Sequence, residues 1–270
     1  MSEITAKAVQ RLRSRTGLAM MDCKKALVDS NGDEAAAQQA LRKQFADKMT
    51  ERSDKEAANG RIGAYADESA AALAEVRCET DFVATNDKFT DLANEIARQC
   101  ARTGITEVEA LKSSKLEDGR TVTELLVDAF GVIKENMSIK RLIRIEGAGA
   151  CYVHHNGQVG SSLAADHSPG DAGRQICMHI ASTPMILGTV REDVEPGAVK
   201  EAHEKAAEEA VGKPPQIMEK IVAGKMNKWY AERVLVEQPF VIDDKKTVGA
   251  FGKEHGFALK SFAKFEVGRQ

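Results

Sequence analysis

Apolar residues recur at helical spacing at the start of the chain and at strand spacing later. Ile4, Ala8, Val9 and Leu12 fall on one helical face, with Lys7, Arg11 and Arg13 elsewhere on the turn. Thr16-Gly17 stops that pattern, because glycine readily takes the left-handed conformation that ends a helix. A second helix is predicted over residues 19–30, ending at Asn31-Gly32. Asp33 caps a third, with Ala36, Ala37, Ala40 and Leu41 on one face. Three short helices in about fifty residues make a miniature bundle with a core too small for much besides binding. Residues 50–59 read as a solvated helix end and linker, and Gly60 marks a boundary.

The period then becomes two. Residues 61–65 form a strand, Asp67-Glu68-Ser69 a turn, and 72–78 the return strand. Alternation puts Ala72, Ala74, Val76 and Cys78 on one face and Leu73, Glu75, Arg77 and Glu79 on the other. Asn86 caps a helix carrying Phe89, Leu92, Ala93, Ile96 and Ala97, which Gly104 ends. Thr80-Asp81-Phe82-Val83 therefore occupies a strand-to-helix corner, where a scaffold presents side chains. Residues 112–120 are polar loop, Thr121 or Thr123 opens a helix through Ile133, and 139–145 return to strand.

The same order recurs. Strand 150–155 meets Asn156-Gly157, the signal for a two-residue hairpin, and 158–164 return. A helix over 171–182, with Ile176, His179 and Ile180 on one side, ends before Pro184. Tyr65 and Tyr152 occupy comparable places, an architectural echo between two halves. Val199, Ala202, Ala206 and Ala210 then make a thin stripe, and Ile217, Met218, Ile221, Val222 and Met226 another beyond Pro214-Pro215. These predict a projecting antiparallel helical hairpin with one side free for a partner or a second copy. Lys246-Thr247-Val248 starts a helix, and 261–267 alternate as a closing strand.

The expected fold is α+β. It comprises a three-helix module (1–54), two similar α/β core subdomains with antiparallel sheets (55–140, and 141–182 with 229–270) and an inserted helical hairpin (183–228).

Charge and chemistry narrow the function. A net charge of -3 leaves no basic field, so direct nucleic-acid binding is not expected. Cysteines 23, 78, 100, 151 and 177 include no C-x-x-C pair and read as reduced thiols of a cytoplasmic protein. Neither a signal peptide nor a membrane-spanning run is predicted. Cys78 or Cys177 with a histidine would suggest a thiol nucleophile, but Cys78 shares the strand face of Ala74 and Val76. His154, His155, His167 and His179 with Cys177 lack zinc-site spacing. Phosphate-loop and dinucleotide fingerprints are missing, so the expectation is no cofactor, no metal and no catalytic residue. Two questions stay open. Phe82 either folds into the core behind a cap from Thr80 or Asp81, or is held out for a partner. Met20 and Met21 are adjacent and cannot both face one core, so one is expected near the surface.

Residues 16–27, Thr16-Gly17-Leu18-Ala19-Met20-Met21-Asp22-Cys23-Lys24-Lys25-Ala26-Leu27, resemble the N-terminal signature of the elongation factor Ts family. Its members are guanine nucleotide exchange factors for the translational GTPase elongation factor Tu. The resemblance continues, in order, through 78–84, Glu135-Asn136-Met137, 152–160, Met226-Asn227-Lys228, 237–241 and 246–249. It implies that the first module is of the ubiquitin-associated type. It implies partner contact for Thr80, Asp81, Phe82 and Val83, with Asp81 and Phe82 pushing in near the magnesium site of the GTPase. It places Met20, Met21 and Lys24 against the nucleotide-binding domain. Ile133 and His154 match positions of partner contact, although His154 also reads as an ordinary hairpin histidine. For the helical hairpin it leaves partner contact, a homodimer and a heterotetramer open. Two departures stand out. His155-Asn156 replaces glycines common after the hairpin histidine, and Gly268-Arg269-Gln270 is not followed by the C-terminal helix some members carry. The competing readings are a non-catalytic scaffold and a cysteine-dependent enzyme.

Overall fold

A computed structural model describes residues 4–269 of the chain. It opens with α1 (Ala6–Thr16), α2 (Met20–Asp29) and α3 (Glu34–Glu51). Gly17 ends α1 at φ 70°, and the Asp33 carboxylate accepts from the amides of Ala35 and Ala36 at the start of α3. The third helix is not short. It runs for 18 residues, into the charged stretch, and buries Phe45 in its second half. A long helix tolerates exposed charge when a few apolar residues seat it.

The first half of the core contains β1 (Asn59–Ala66), β2 (Ala70–Cys78), the one-turn helix α4 (Asp81–Ala84), α5 (Asp87–Thr103), α6 (Val108–Ser113), α7 (Val122–Ile133) and β3 (Met137–Glu146). The second half contains β4 (Ala148–Val153), β5 (Val159–Ala165), α8 (Gly170–Ser182), the helical pair α9 (Pro196–Glu208) and α10 (Pro215–Arg233), then β6 (Pro239–Phe240), β7 (Asp243–Thr247), α11 (Val248–Glu254) and β8 (Leu259–Glu266). The fold is α+β, and its two principal sheets are antiparallel, in the orders β1-β2-β3 and β4-β5-β8.

Helix α5 covers the outer face of the first sheet and α8 that of the second. The inner faces meet through glycines: a Cβ on Gly160 would lie 2.4 Å from Ile62, and one on Gly149 2.8 Å from the Ala70 carbonyl. Strand β2 is therefore buried on both sides. Ala72, Ala74, Val76 and Cys78 join the helical core, while Leu73 packs with Ile62, Ala263 and Phe265 between the sheets. Glu75 is buried on that inner side, its carboxylate accepting from Arg141 at 2.7 Å and from the Gly268 amide at 3.1 Å. Those partners offset the desolvation of a buried charge.

The N-terminal helices share the core of the first half. Leu18 and Phe45 seat on α7, where a Cβ added to Gly131 would lie 2.7 Å from Leu18 and 3.1 Å from Phe45. Beside this seam Arg42 makes two bonds to Asp128, at 2.8 and 2.7 Å, and Arg120 a third at 2.9 Å. Bidentate pairing of this kind fixes orientation as well as adding energy.

The α9–α10 pair buries Ala206 and Met226 along its seam, and leaves Val211 and Ile217 exposed towards its tip. Near its base, buried His179 of α8 engages both ring nitrogens: Nε2 lies 2.9 Å from Gln238 Oε1, and Nδ1 accepts from the Val241 amide at 3.2 Å. This arrangement uses the neutral ring, and burial pushes its pKa below the ordinary histidine value. The unfolded chain then binds the proton more readily. The stabilisation is present above the ordinary histidine pKa and is lost as pH falls from there towards the folded value. Urea midpoints are accordingly expected to drop between pH 7.5 and 5.5, and His179→Gln to flatten that drop. An unaltered pH dependence in the variant would contradict the assignment.

Candidate partner-binding site

The corner after β2 is braced from several sides. Thr80 caps α4, its hydroxyl oxygen accepting from the Val83 amide at 3.3 Å. The same hydroxyl donates to Glu135 at 2.7 Å, and the Thr80 amide donates to the other oxygen of that carboxylate at 3.1 Å. One residue earlier, Glu79 accepts two bonds from Arg52, at 2.6 and 2.8 Å, and another from the Asn136 amide at 2.6 Å. The Arg52 guanidinium holds the Glu79 carboxyl below the usual carboxylate range. Cys78, buried, donates its thiol to the Thr80 carbonyl at 3.2 Å. Burial pushes that thiol up to about 12, far from the thiolate a nucleophile needs at neutral pH.

With these supports, Ala84 is buried and Val83 half-buried, while Asp81 is exposed and Phe82 is 84% exposed. Burying a phenylalanine side chain contributes about 1.5–3 kcal/mol, which this corner forgoes. The core reading of Phe82 therefore does not hold.

Both Met20 and Met21 are exposed, at 54% and 72%, which corrects the expectation that only one reaches the surface. The reason is local. Leu18, just before α2, takes the buried place, and the interior face of α2 is Cys23, Ala26 and Leu27. Lys24 is exposed beside them. Ile133, at the end of α7, is partly buried and walls an open groove shared with Leu92, Leu125 and Val132.

His154 is half-buried, its Nδ1 3.0 Å from the Tyr152 hydroxyl and its ring 4.3 Å from that of His155. The hairpin that carries it is not the tight two-residue turn expected from Asn156-Gly157. The strand pairing ends at Val153 and Gly160, one further bond runs from the His154 amide to the Val159 carbonyl at 2.9 Å, and residues 155–158 form a wider loop. It is held open by β1: the Ile62 amide donates to the Gly157 carbonyl at 2.9 Å, and the Gln158 side chain donates to the Gly60 carbonyl at 3.0 Å.

Contacts link these places. Arg61 packs under Gly157 and donates to the Ala84 carbonyl at 3.3 Å, joining the His154 loop to the corner. A Cβ on Gly17 would lie 3.4 Å from Val132 and 3.7 Å from Lys88 Nζ, which sets the loop before α2 against the start of α5 and the end of α7. The bracing roles of Arg52 and Arg61 were missed in the sequence, where each looks like an ordinary charge, and Glu135 stood out only as part of the Glu135-Asn136-Met137 resemblance, with no role attached. Among the described residues, no group of three or more His, Cys, Asp or Glu side chains could hold a metal ion, and no helix is long and apolar enough to cross a membrane.

The fold and these side chains define a modular α+β protein that carries exposed apolar groups on braced turns. A family model described as Elongation factor TS matches residues 79–269. Similar proteins named Elongation factor Ts include those of Hyphomonas neptunium, 40% identical over 99% of this chain and 93% of the relative, and Psychrobacter sp., 38% identical over 99% and 92%. That of Thermobifida fusca is 37% identical over the full length of both. The chain belongs to the elongation factor Ts family, and thereby to the factors of translation elongation.

Proposed function

We propose that the chain is a guanine nucleotide exchange factor that binds elongation factor Tu carrying GDP and promotes release of the nucleotide. The observation that carries this reading is Phe82, held 84% exposed on a one-turn helix within a family of translation elongation factors. An aromatic on a rigid corner suits a wedge. Magnesium in a GTPase keeps a strict octahedral shell, and the phosphates rely on a tight loop of backbone amides. A shift of about an ångström in the supporting helices spoils both, because packed interfaces switch rather than stretch. Asp81 adds a charge beside the wedge, and Thr80 and Val83 hold its base. Met20, Met21, Lys24, Ile133 and His154 hold the partner around it.

On this reading the chain is not an enzyme in its own right. It binds no cofactor and works in the cytoplasm, where its five free cysteines stay reduced. The helical hairpin supplies a further surface, for the GTPase or for a second copy. Linkage makes the coupling reciprocal: if the chain weakens GDP binding, GDP weakens the complex by the same factor. Titrating GDP into the purified complex should therefore dissociate it, and an affinity indifferent to GDP would sink the proposal.

The two surfaces should separate kinetically. Met20→Ala with Met21→Ala removes holding contacts, so the half-saturating concentration should rise about five- to tenfold with the maximal release rate nearly unchanged. A lower maximal rate at unchanged half-saturation would move the methionines into the wedge.

A further inference from the structure

The run Glu135-Asn136-Met137 contributes no exposed apolar side chain, since Asn136 and Met137 are buried. Its role lies in what it ties together. Lys134 closes α7 in the left-handed region, at φ 62°, and its ammonium lies 4.0 Å from Asp22 of α2. Glu135 accepts from the amide and the hydroxyl of Thr80. Asn136 donates its side chain to the carbonyls of Ser53 and Lys55, just past α3, at 3.2 and 2.6 Å, and its amide to Glu79. Three consecutive residues thus hold three different parts: the methionine helix, the Phe82 corner and the end of α3.

Helix α4 has only four residues, too few to hold its shape unaided. Its cap hydroxyl is oriented by Glu135, donating to the carboxylate and so turning its lone pairs towards the Val83 amide. Without that carboxylate the hydroxyl hydrogen loses its acceptor and the Thr80 amide loses its partner.

We propose that Glu135 is a positioning residue of the exchange corner, acting through Thr80 to set the direction in which Phe82 leaves the surface. This rests on the exchange reading above.

The test uses the full chain as wild type, Glu135→Ala, Glu135→Gln, Phe82→Ala and the double variant of Glu135→Ala with Phe82→Ala. GDP release from elongation factor Tu is measured over a range of chain concentrations, and amide exchange is measured in the free chain. Glu135→Ala should lower the maximal release rate about tenfold, with half-saturation changed less than about twofold. Amides 83–85 should exchange faster. Glu135→Gln should fall between wild type and Glu135→Ala, because its single carbonyl oxygen can accept from the Thr80 hydroxyl or from the Thr80 amide but cannot replace both carboxylate oxygens. In the Phe82→Ala background, Glu135→Ala should cost nothing further. A wild-type rate for Glu135→Ala, or an equal loss in both backgrounds, overturns the proposal. If Glu135→Ala does not fold, Thr80→Val takes its place, and a wild-type rate there overturns it equally. Phe82→Ala releasing GDP at the wild-type rate overturns the exchange reading itself, whereas a slow Phe82→Ala with a normal Glu135→Ala overturns only the role of Glu135.

Discussion

Phe82→Ala is expected to slow GDP release from elongation factor Tu about 30-fold, the equivalent of about 2 kcal/mol at an interface hot spot. The loss should fall on the maximal rate, since a wedge acts after the partner is engaged. Stability should hardly move. The side chain is 84% exposed and the corner is held by Thr80, Glu79 and Glu135, none of which contacts the ring for its bonding. Exposed substitutions of this kind usually change stability by less than about 0.5 kcal/mol. A thermal melt run beside the kinetics separates the outcomes. If the variant melts well below wild type, Phe82 contributes to the core and its role as a wedge fails.

The largest effect on stability is expected from Gly63→Ala. Gly63 lies in β1 where α5 crosses it, and a Cβ there would stand 2.0 Å from the Ala93 carbonyl oxygen and 2.2 Å from its carbon. Both are backbone atoms, so no side chain can swing away, and the helix and strand must part. Overpacking of a core costs about 1–3 kcal/mol even where side chains relax, and here the upper end or beyond is expected. Against a total of about 5–15 kcal/mol that is a large share. Urea unfolding reads it directly. Release should suffer too, because Arg61, two residues back along β1, bridges the hairpin loop and the corner. An unchanged midpoint would mean that α5 does not sit on β1 as described.

Much of the fold was legible because its signals are local. Gly17 and Gly104 end helices at φ 70° and 74°, and Asp33, Asn86 and Thr121 cap them through their own side chains. Thr121 and Glu124 even form the reciprocal capping box. What escaped depends on distant partners. Helix α6 is only six residues long, too short to display a stripe. The wider His154 loop follows from bonds to β1, and both methionines are exposed because Leu18 has already filled the seat beneath them. Double burial of β2 is a property of two sheets meeting, which alternation along one strand does not reveal.

The site divides in the same way. A change from strand to helix marks the corner within a few residues. The bonds that brace the corner around Phe82 come from far along the chain: from Glu135, 55 residues after Thr80, and from Arg52, 27 residues before Glu79. Arg52 carries no local sign of that role, and the resemblance that marks Glu135-Asn136-Met137 does not say what the run holds.

The most direct test of the exchange function is the release of fluorescently labelled GDP from purified elongation factor Tu, in magnesium, with excess unlabelled nucleotide. Micromolar chain should accelerate release, with the rate rising to a plateau as the chain is increased. A release rate indifferent to the chain at micromolar concentration would contradict it.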